Sequence, residues 1–153
     1  MRIISKNKKA FLDYEIKEKI KAGIVLLGFE VKSIKTKGID LTSSYITFLK
    51  GEPFLINAKI FPYQPGNTPQ NWDSKQARKI LLKKREIEYL KNKRKTDKLT
   101  IIPLEVFEDR RLIKLTIALA KHRKKYEKKE KIKERETKKR IERTLKEKQK
   151  LVR

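Results

Sequence analysis

The sequence contains no cysteine, a single histidine and only five glycines among its 153 residues. Without cysteine the chain forms no disulfide and has no thiol nucleophile. One histidine cannot build a histidine metal site, and His122 has no acidic neighbour that would make it a general base, so a solvated ring is preferred. The glycines are scattered and no GxxxxGK loop is present. The sequence therefore predicts a binding protein without catalytic residues, a metal site or a cofactor.

Long apolar runs are also missing. No segment approaches the roughly 18 apolar residues of a membrane span, and the start MRIISKNKKAFLDYE lacks the apolar stretch of a secretory signal. We therefore expect a cytoplasmic protein with no membrane association. With 37% hydrophobic residues the chain is long enough and apolar enough for one ordinary domain with an appendage.

Acidic residues are scarce relative to basic ones, and the formal net charge is +24. Residues 121–153 alone carry 17 Lys and Arg against 6 Asp and Glu, with little that is apolar to bury. Such a segment needs a partner to hold it in place, and a phosphate backbone suits this much positive charge. We expect a body at residues 1–120 and a basic C-terminal tail at residues 121–153.

The body is patterned mainly as strands. Ala22 to Ile34 is rich in large apolar residues and predicts a buried strand that passes into a short helical turn near Lys32 to Lys37, with Gly28 marking a bulge or close approach. Tyr45 to Leu49 and Phe54 to Ile60, joined through Gly51, predict a hairpin. Phe61 to Trp72 is rich in proline and asparagine and predicts an irregular loop.

A helix and a second hairpin complete the body. Asp73 or Ser74 can cap the helix, whose apolar face is formed by Ile80, Leu81, Ile87 and Leu90, with several cations at its C-terminal end. Leu99 to Phe107 and Leu112 to Ala120 flank a turn and predict the second hairpin. Pro103 must lie at an edge or a bulge, because proline donates no ladder hydrogen bond.

About five antiparallel strands with an inserted helix predict a mainly β fold, a small OB-like (oligonucleotide-binding-type) barrel with one to three short helices. A flat antiparallel sheet covered by the helix has almost the same pattern. The tail is compatible with a helix, since several Glu residues stand four positions before a Lys or Arg. Each such pair stabilises a helix by about 0.2 to 0.5 kcal/mol. Its apolar set is too sparse for a stable isolated helix, so we expect it to order on binding.

One aromatic residue, Tyr126, lies among the bases of KHRKKYEKK at the start of the tail. Basic side chains beside an aromatic ring provide phosphate contacts together with a surface on which a nucleobase stacks. The alternative is that Tyr126 packs on the body as the last residue of its core, and spacing alone does not separate the two roles. A solvated charge run that aids solubility is the general alternative for the whole tail.

An ordered set of strings resembles the SsrA-binding protein (SmpB) family along essentially the whole chain. The strings are NKKAFLDY from Asn7, AGI from Ala22, GFEVKS from Gly28, FLINAKI from Phe54, PYQPGN from Pro62, RKILLKKRE from Arg78 and IKERE from Ile132.

This resemblance implies an RNA chaperone of trans-translation. Its barrel would bind the tRNA-like domain of transfer-messenger RNA (tmRNA), and its tail would become helical in the decoding centre and mRNA channel of a stalled ribosome. Alanyl-tRNA synthetase and elongation factor Tu would be partners indirectly, through tmRNA, and the protein would be a monomer. The resemblance implies RNA contacts on the barrel from Asn7, Lys8, Lys9, Leu81 and Lys114. On the tail it implies contacts from Lys124, Tyr126, Lys128, Lys129, Ile132 and Lys133.

Four positions depart from the family pattern, two of them conservatively, where Glu127 and Lys129 replace the common Asp and Arg. Lys21 stands where the family frequently has Glu, so a phosphate contact is the most that this side chain offers. His122 stands where the family usually has Gly, which changes the bend expected between barrel and tail.

Two other classes of protein remain open from the residues. A structural ribosomal protein would also combine a basic barrel with a basic extension. A metal-dependent nuclease would use Glu30 with Asp40 or Glu105, if these acids converge.

Overall fold

The computed structural model describes residues 1–124, 129 and 132–143. The chain divides into two units, Met1–His122 and Arg123–Arg153. In the first unit, the last strand, Leu112–His122, includes Lys121 and His122, so the division falls two residues beyond the expected boundary at residue 120. In the second, residues 132–143 are helical. The expectation that this segment orders on the ribosome remains a prediction.

The first unit contains nine strands and three α-helices within the described residues. In chain order they are β1 Arg2–Lys6, α1 Lys8–Asp13, β2 Tyr14–Ile24, α2 Gly28–Lys37, β3 Ile39–Asp40, β4 Tyr45–Leu49, β5 Glu52–Ile56, β6 Lys59–Ile60, β7 Arg78–Leu81, α3 Lys84–Thr96, β8 Thr100–Asp109 and β9 Leu112–His122.

Six of the strands close into an antiparallel ring in the order β8, β4, β5, β7, β2, β9 and back to β8. β1 adds to β8 beside β4, and β3 pairs separately with β6. Bulges between Ile16 and Glu18 and between Pro103 and Glu105 bend the long strands. The predicted OB-like barrel is confirmed, and the β8–β9 pairing excludes the flat sheet.

The barrel interior is apolar. Residues from every strand of the ring and from α2 and α3 meet in it, including Ile34, Leu55, Leu90 and Leu115. A second, smaller cluster lies on the other face of β8 and β9, where Ala10 of α1 packs with Ile102, Leu104, Ala118 and Ala120. α1 therefore lies against the outer surface of the barrel.

Both predicted hairpins are present, but the strand predicted over Phe54 to Ile60 is wrong in its second half: β5 ends at Ile56, and Lys59–Ile60 pairs with β3 instead. Lys50 and Gly51 connect β4 to β5 with φ of +52° and +80°, and Arg110 and Arg111 connect β8 to β9 with φ of +51° and +69°. Two consecutive left-handed residues give the tight turn that matches strand twist. Pro103 lies at a bulge, as its missing donor requires.

The prediction for Ala22 to Ile34 is wrong in its second half. β2 ends at Ile24 and α2 begins at Gly28, where Glu30 Oε1 accepts a hydrogen bond from the Leu27 backbone N–H at 2.9 Å. This cap and the burial of Ile34 against the core outweigh the strand propensity of the apolar run. Gly28 is the first residue of a helix, neither a bulge nor a close approach.

The start of the inserted helix is also wrong in the sequence prediction. Arg78–Leu81 forms β7, which fills the gap between β5 and β2, and α3 begins only at Lys84, capped by Glu86, which accepts from the Lys83 N–H at 2.9 Å. Ile80 and Leu81 therefore belong to a strand, because ring closure outweighs their helical spacing. The cations predicted at the helix end are present as Lys93, Arg94 and Lys95.

Candidate RNA interface

Asn7, one of the predicted contact residues, is a buried helix cap with 6% exposure. Its side-chain amide donates to the Leu41 and Pro103 carbonyls at 3.3 and 3.0 Å, and its Oδ1 accepts from the Ala10 N–H at 3.3 Å. These bonds join α1, the segment after β3 and the bulge of β8. Because both amide donors are used inside the protein, Asn7 fixes the start of α1 and thereby the direction of the next two side chains.

Lys8 and Lys9 begin α1 and are exposed. Phe11, on the same helix, is 39% exposed, and the Lys19 Nζ lies 5.9 Å from the centre of its ring. A cation above an exposed ring links α1 to the neighbouring strand β2. The basic surface of α1 therefore continues directly onto the barrel.

The outer side of the β2–β9 ladder forms the rest of this surface, which we call the β2–β9 face. Gly23 of β2 lies between Leu81 of β7 and Lys114 of β9 in one cross-strand row, and Lys21 lies opposite Thr116 in the next. Residues paired in this way point to the same side of a sheet. Since Ala22 and Leu115 point into the core, the row points outward.

Gly23 keeps the middle of this row open. A Cβ at this position would lie 3.2 Å from the Leu81 Cβ, so any side chain would push Leu81 aside. Leu81 itself is 51% exposed. The row thus presents an apolar side chain, a stretch of bare backbone and an ammonium group, which together allow close approach of a sugar–phosphate chain.

Two further lysines join the predicted set. Lys19 and Lys21 alternate with Ile20 and Ala22 along β2 and both are exposed, with the Lys21 Nζ 5.7 Å from the centre of the Phe107 ring. Sequence reasoning left Lys19 out, although the alternation of bases and apolar residues in IKEKIKAGI is the pattern of a strand with one buried face. With Lys8, Lys9 and Lys114 these side chains make one basic region on α1, β2 and β9.

The tail residues fall partly within the described part of the second unit. Lys124 and Lys129 are exposed, and Ile132 and Lys133 belong to the helical residues 132–143, where Ile132 is 42% exposed. Tyr126 and Lys128 lie outside the described residues. His122 is exposed, as expected for a solvated ring, and it also pairs with Tyr14 at the end of β9, where the two rings pack edge-on at 5.0 Å.

Glu30, the acid on which the nuclease alternative depends, is buried and fully engaged. Its Oε2 accepts from Arg78 Nε and Nη2 at 3.0 and 2.7 Å and from Trp72 Nε1 at 3.1 Å, and its Oε1 accepts from Leu27. Only 1% of Glu30 is exposed. A carboxylate neutralised by arginine inside the protein is not available as a metal ligand. Neither Glu30 with Asp40 nor Glu30 with Glu105 therefore forms the metal site that the nuclease alternative requires.

The described residues hold no cluster of three or more acidic or histidine side chains suited to a metal ion. Within the same part of the chain, no helix has the length and apolar character to cross a bilayer. The fold and the surface together define a small OB-like barrel with a basic outer face and a basic C-terminal extension.

Comparison with known proteins identifies the family. The model of the SmpB protein family matches residues 4–147. The SsrA-binding protein of Fervidobacterium nodosum is 46% identical over 147 residues, which cover 95% of this chain and 98% of that protein. That of Streptococcus agalactiae is 44% identical over 144 residues, covering 94% and 92% of the two chains. The chain belongs to the SmpB family, a family of RNA-binding proteins.

A solved structure agrees with this assignment. A chain in a structure described as "tmRNA-SmpB: a journey to the center of the bacterial ribosome" superposes with a TM-score of 0.65 and 38% identity. The match covers 79% of this chain and 85% of the other.

Proposed function

We propose that this protein binds the tRNA-like domain of tmRNA through the β2–β9 face and α1, and carries that RNA to stalled ribosomes for trans-translation. The observation that carries the proposal is the continuous basic region from α1 across β2 to β9, on a barrel of the SmpB family. Lys8, Lys9 and Lys114 contact phosphates, and Leu81 packs on a sugar or base. Asn7 acts indirectly, because it positions the two lysines that follow it.

The tail supplies the ribosomal part of this function. Lys124, Tyr126, Lys128, Lys129, Ile132 and Lys133 contact the decoding centre and mRNA channel, where the segment is helical. The protein acts as a cytoplasmic monomer without a cofactor or a catalytic step of its own. Alanyl-tRNA synthetase and elongation factor Tu meet it only through the tmRNA that they also bind.

A charge reversal on the β2–β9 face tests the proposed site. Lys114→Glu should weaken binding to the tRNA-like domain by about 10- to 100-fold, because it removes one charge-assisted phosphate contact and adds repulsion. Lys32→Glu, on the exposed side of α2, makes the same change in net charge and is the matched control. Electrophoretic mobility shift or fluorescence anisotropy gives both affinities. Equal losses of affinity in the two variants would contradict the proposed site, because they would show that only the net charge of the protein matters.

The salt dependence of binding tests the kind of interface. The logarithm of the binding constant should fall linearly with the logarithm of salt concentration, with a slope of about 0.7 to 0.9 for every phosphate neutralised. Lys114→Glu should lower this slope, whereas Lys32→Glu should leave it unchanged. A flat response in the wild type would contradict an interface dominated by the RNA backbone.

Recovery from cells separates this function from a structural ribosomal role. A rescue factor should be recovered at well below one copy per ribosome and enriched on stalled ribosomes, with tmRNA as the dominant co-purifying RNA. One copy on every ribosome would favour the structural role.

A further inference from the structure

A cleft beside α1 has no role in the function proposed so far, apart from Asn7 and Lys9 in its lining. It has a volume of about 410 Å³ and opens between α1, the turn before β4 and the start of β8. Its lining includes Lys9, Ala10, Asp13, Tyr14, Tyr45 and Ile102. This volume falls within the range of about 300 to 1,000 Å³ typical of small-molecule sites.

The cleft has an apolar floor and two aromatic rings. Ala10 and Ile102 are buried, at 4% and 2% exposure, and belong to the outer cluster under α1. Tyr45 is 40% exposed, and Tyr14 is oriented by its edge-on contact with His122. Aromatic side chains above an apolar floor are the surfaces on which an unstacked nucleobase packs.

The polar groups of the cleft match the other parts of a nucleotide. Lys9 offers an exposed ammonium group at the edge, suited to a phosphate. Asp13 offers a carboxylate, which has about four acceptor positions and so accepts from a base in addition to its contacts within the protein. Asn7 also lines the cleft, but its amide donors already bond to backbone carbonyls of the protein, so it contributes surface and no hydrogen bond from the amide to a ligand.

From this lining we infer that the cleft binds one unpaired nucleotide of the bound RNA, with the base stacked on Tyr45 and Tyr14 and the phosphate on Lys9. The Asp13 carboxylate accepts from the exocyclic amino group that cytosine, adenine and guanine carry, whereas uracil has a carbonyl oxygen where cytosine has this group and donates only through N3–H, so Asp13 favours the amino-bearing bases over uracil. The inference deepens the proposed function and depends on it, because the RNA that supplies the nucleotide is the one held by the β2–β9 face.

Mononucleotide titration of the full-length protein tests the cleft without any large RNA. Methyl NMR should show the Ala10 and Ile102 signals shifting with CMP and, at several-fold higher concentration, with UMP. Asp13→Asn should remove this preference. Tyr45→Leu should weaken CMP binding about tenfold through lost stacking, whereas Tyr45→Phe should retain it. Absence of methyl shifts, or equal binding by Tyr45→Leu and wild type, would overturn the proposal.

A matched control is available on α3. Tyr89 is 39% exposed, close to the value for Tyr45, and it lies outside the cleft lining. Tyr89→Leu should leave CMP binding unchanged. This result would show that the weaker binding of Tyr45→Leu comes from the cleft and not from the loss of any exposed aromatic ring. A tenfold loss in Tyr89→Leu as well would overturn the assignment to this cleft.

Photocrosslinking identifies the source of the nucleotide. A benzoylphenylalanine at position 45 of the full chain, bound to tmRNA, should crosslink to one unpaired nucleotide that the same probe at position 89 does not reach. Crosslinks spread over paired RNA, or none from an intact complex, would overturn the inference. If no complex with tmRNA forms, the proposed function fails, whereas CMP binding in the preceding experiment still reports on the cleft.

Discussion

Deletion of Arg123–Arg153 is expected to leave recognition of the tRNA-like domain intact and to abolish peptide tagging on stalled ribosomes. The β2–β9 face, α1 and all six strands of the ring lie in Met1–His122, so the barrel keeps its contacts. The cut belongs after His122, because Lys121 and His122 pair with Glu15 and Tyr14 in the ladder. Some affinity for every RNA is lost with the positive charge, and selectivity over an unrelated tRNA is therefore the quantity to measure.

A scrambled tail is the control for charge. It keeps the composition of residues 123–153 but moves Tyr126 and Ile132 away from the Lys and Arg residues that surround them. The general electrostatic attraction to RNA is therefore unchanged. Binding in vitro and tagging in a reconstituted translation system should then separate the two units. Normal tagging by the truncated protein, or full tagging by the scrambled one, would contradict a tail that is recognised residue by residue.

Arg78→Met is expected to destabilise the protein by about 3 to 5 kcal/mol, because it leaves the Glu30 carboxylate buried without its cation. Arg78 is 3% exposed and also donates to the carbonyls of Ala58, Gln76 and Ser74. Urea unfolding of the full chain gives the free energy of unfolding. Arg85→Met, at an exposed position of α3, is the matched control and should change it by less than about 0.5 kcal/mol.

A double variant separates the buried charge from the lost packing. Glu30→Met combined with Arg78→Met should recover part of the stability, since neither ion is then left alone inside the protein. Trp72, the only tryptophan, donates to Glu30 and should report any release of the loop through its fluorescence. A loss of under about 1 kcal/mol in Arg78→Met would contradict a buried pair that depends on both partners.

The sequence predicted the elements whose information is local. The turns at Gly51 and at Arg110 depend on residues next to one another, and the bulge at Pro103 follows from a missing donor in that residue itself. The basic character of the surface follows from composition. The family resemblance was carried by strings spread over the chain, and the match to residues 4–147 confirms it.

The errors arose where distant residues decide the structure. Arg78–Leu81 is a strand because β5 and β2 both need a neighbour, which its own sequence does not show. The start of α2 depends on Glu30, whose position is fixed by Arg78 and Trp72 more than forty residues later. The burial of Asn7 likewise could not be predicted, because it follows from carbonyls of Leu41 and Pro103 that only the fold brings to it.

The β2–β9 ladder also determines when this protein can fold. It joins Tyr14 to His122, so the ring stays open until nearly the whole body has been synthesised, on the order of ten seconds at typical elongation rates. Pairing across such a separation is slow compared with hairpin formation. Residues Arg123–Arg153 follow the last strand, and their synthesis gives β9 time to leave the ribosome and reach β2.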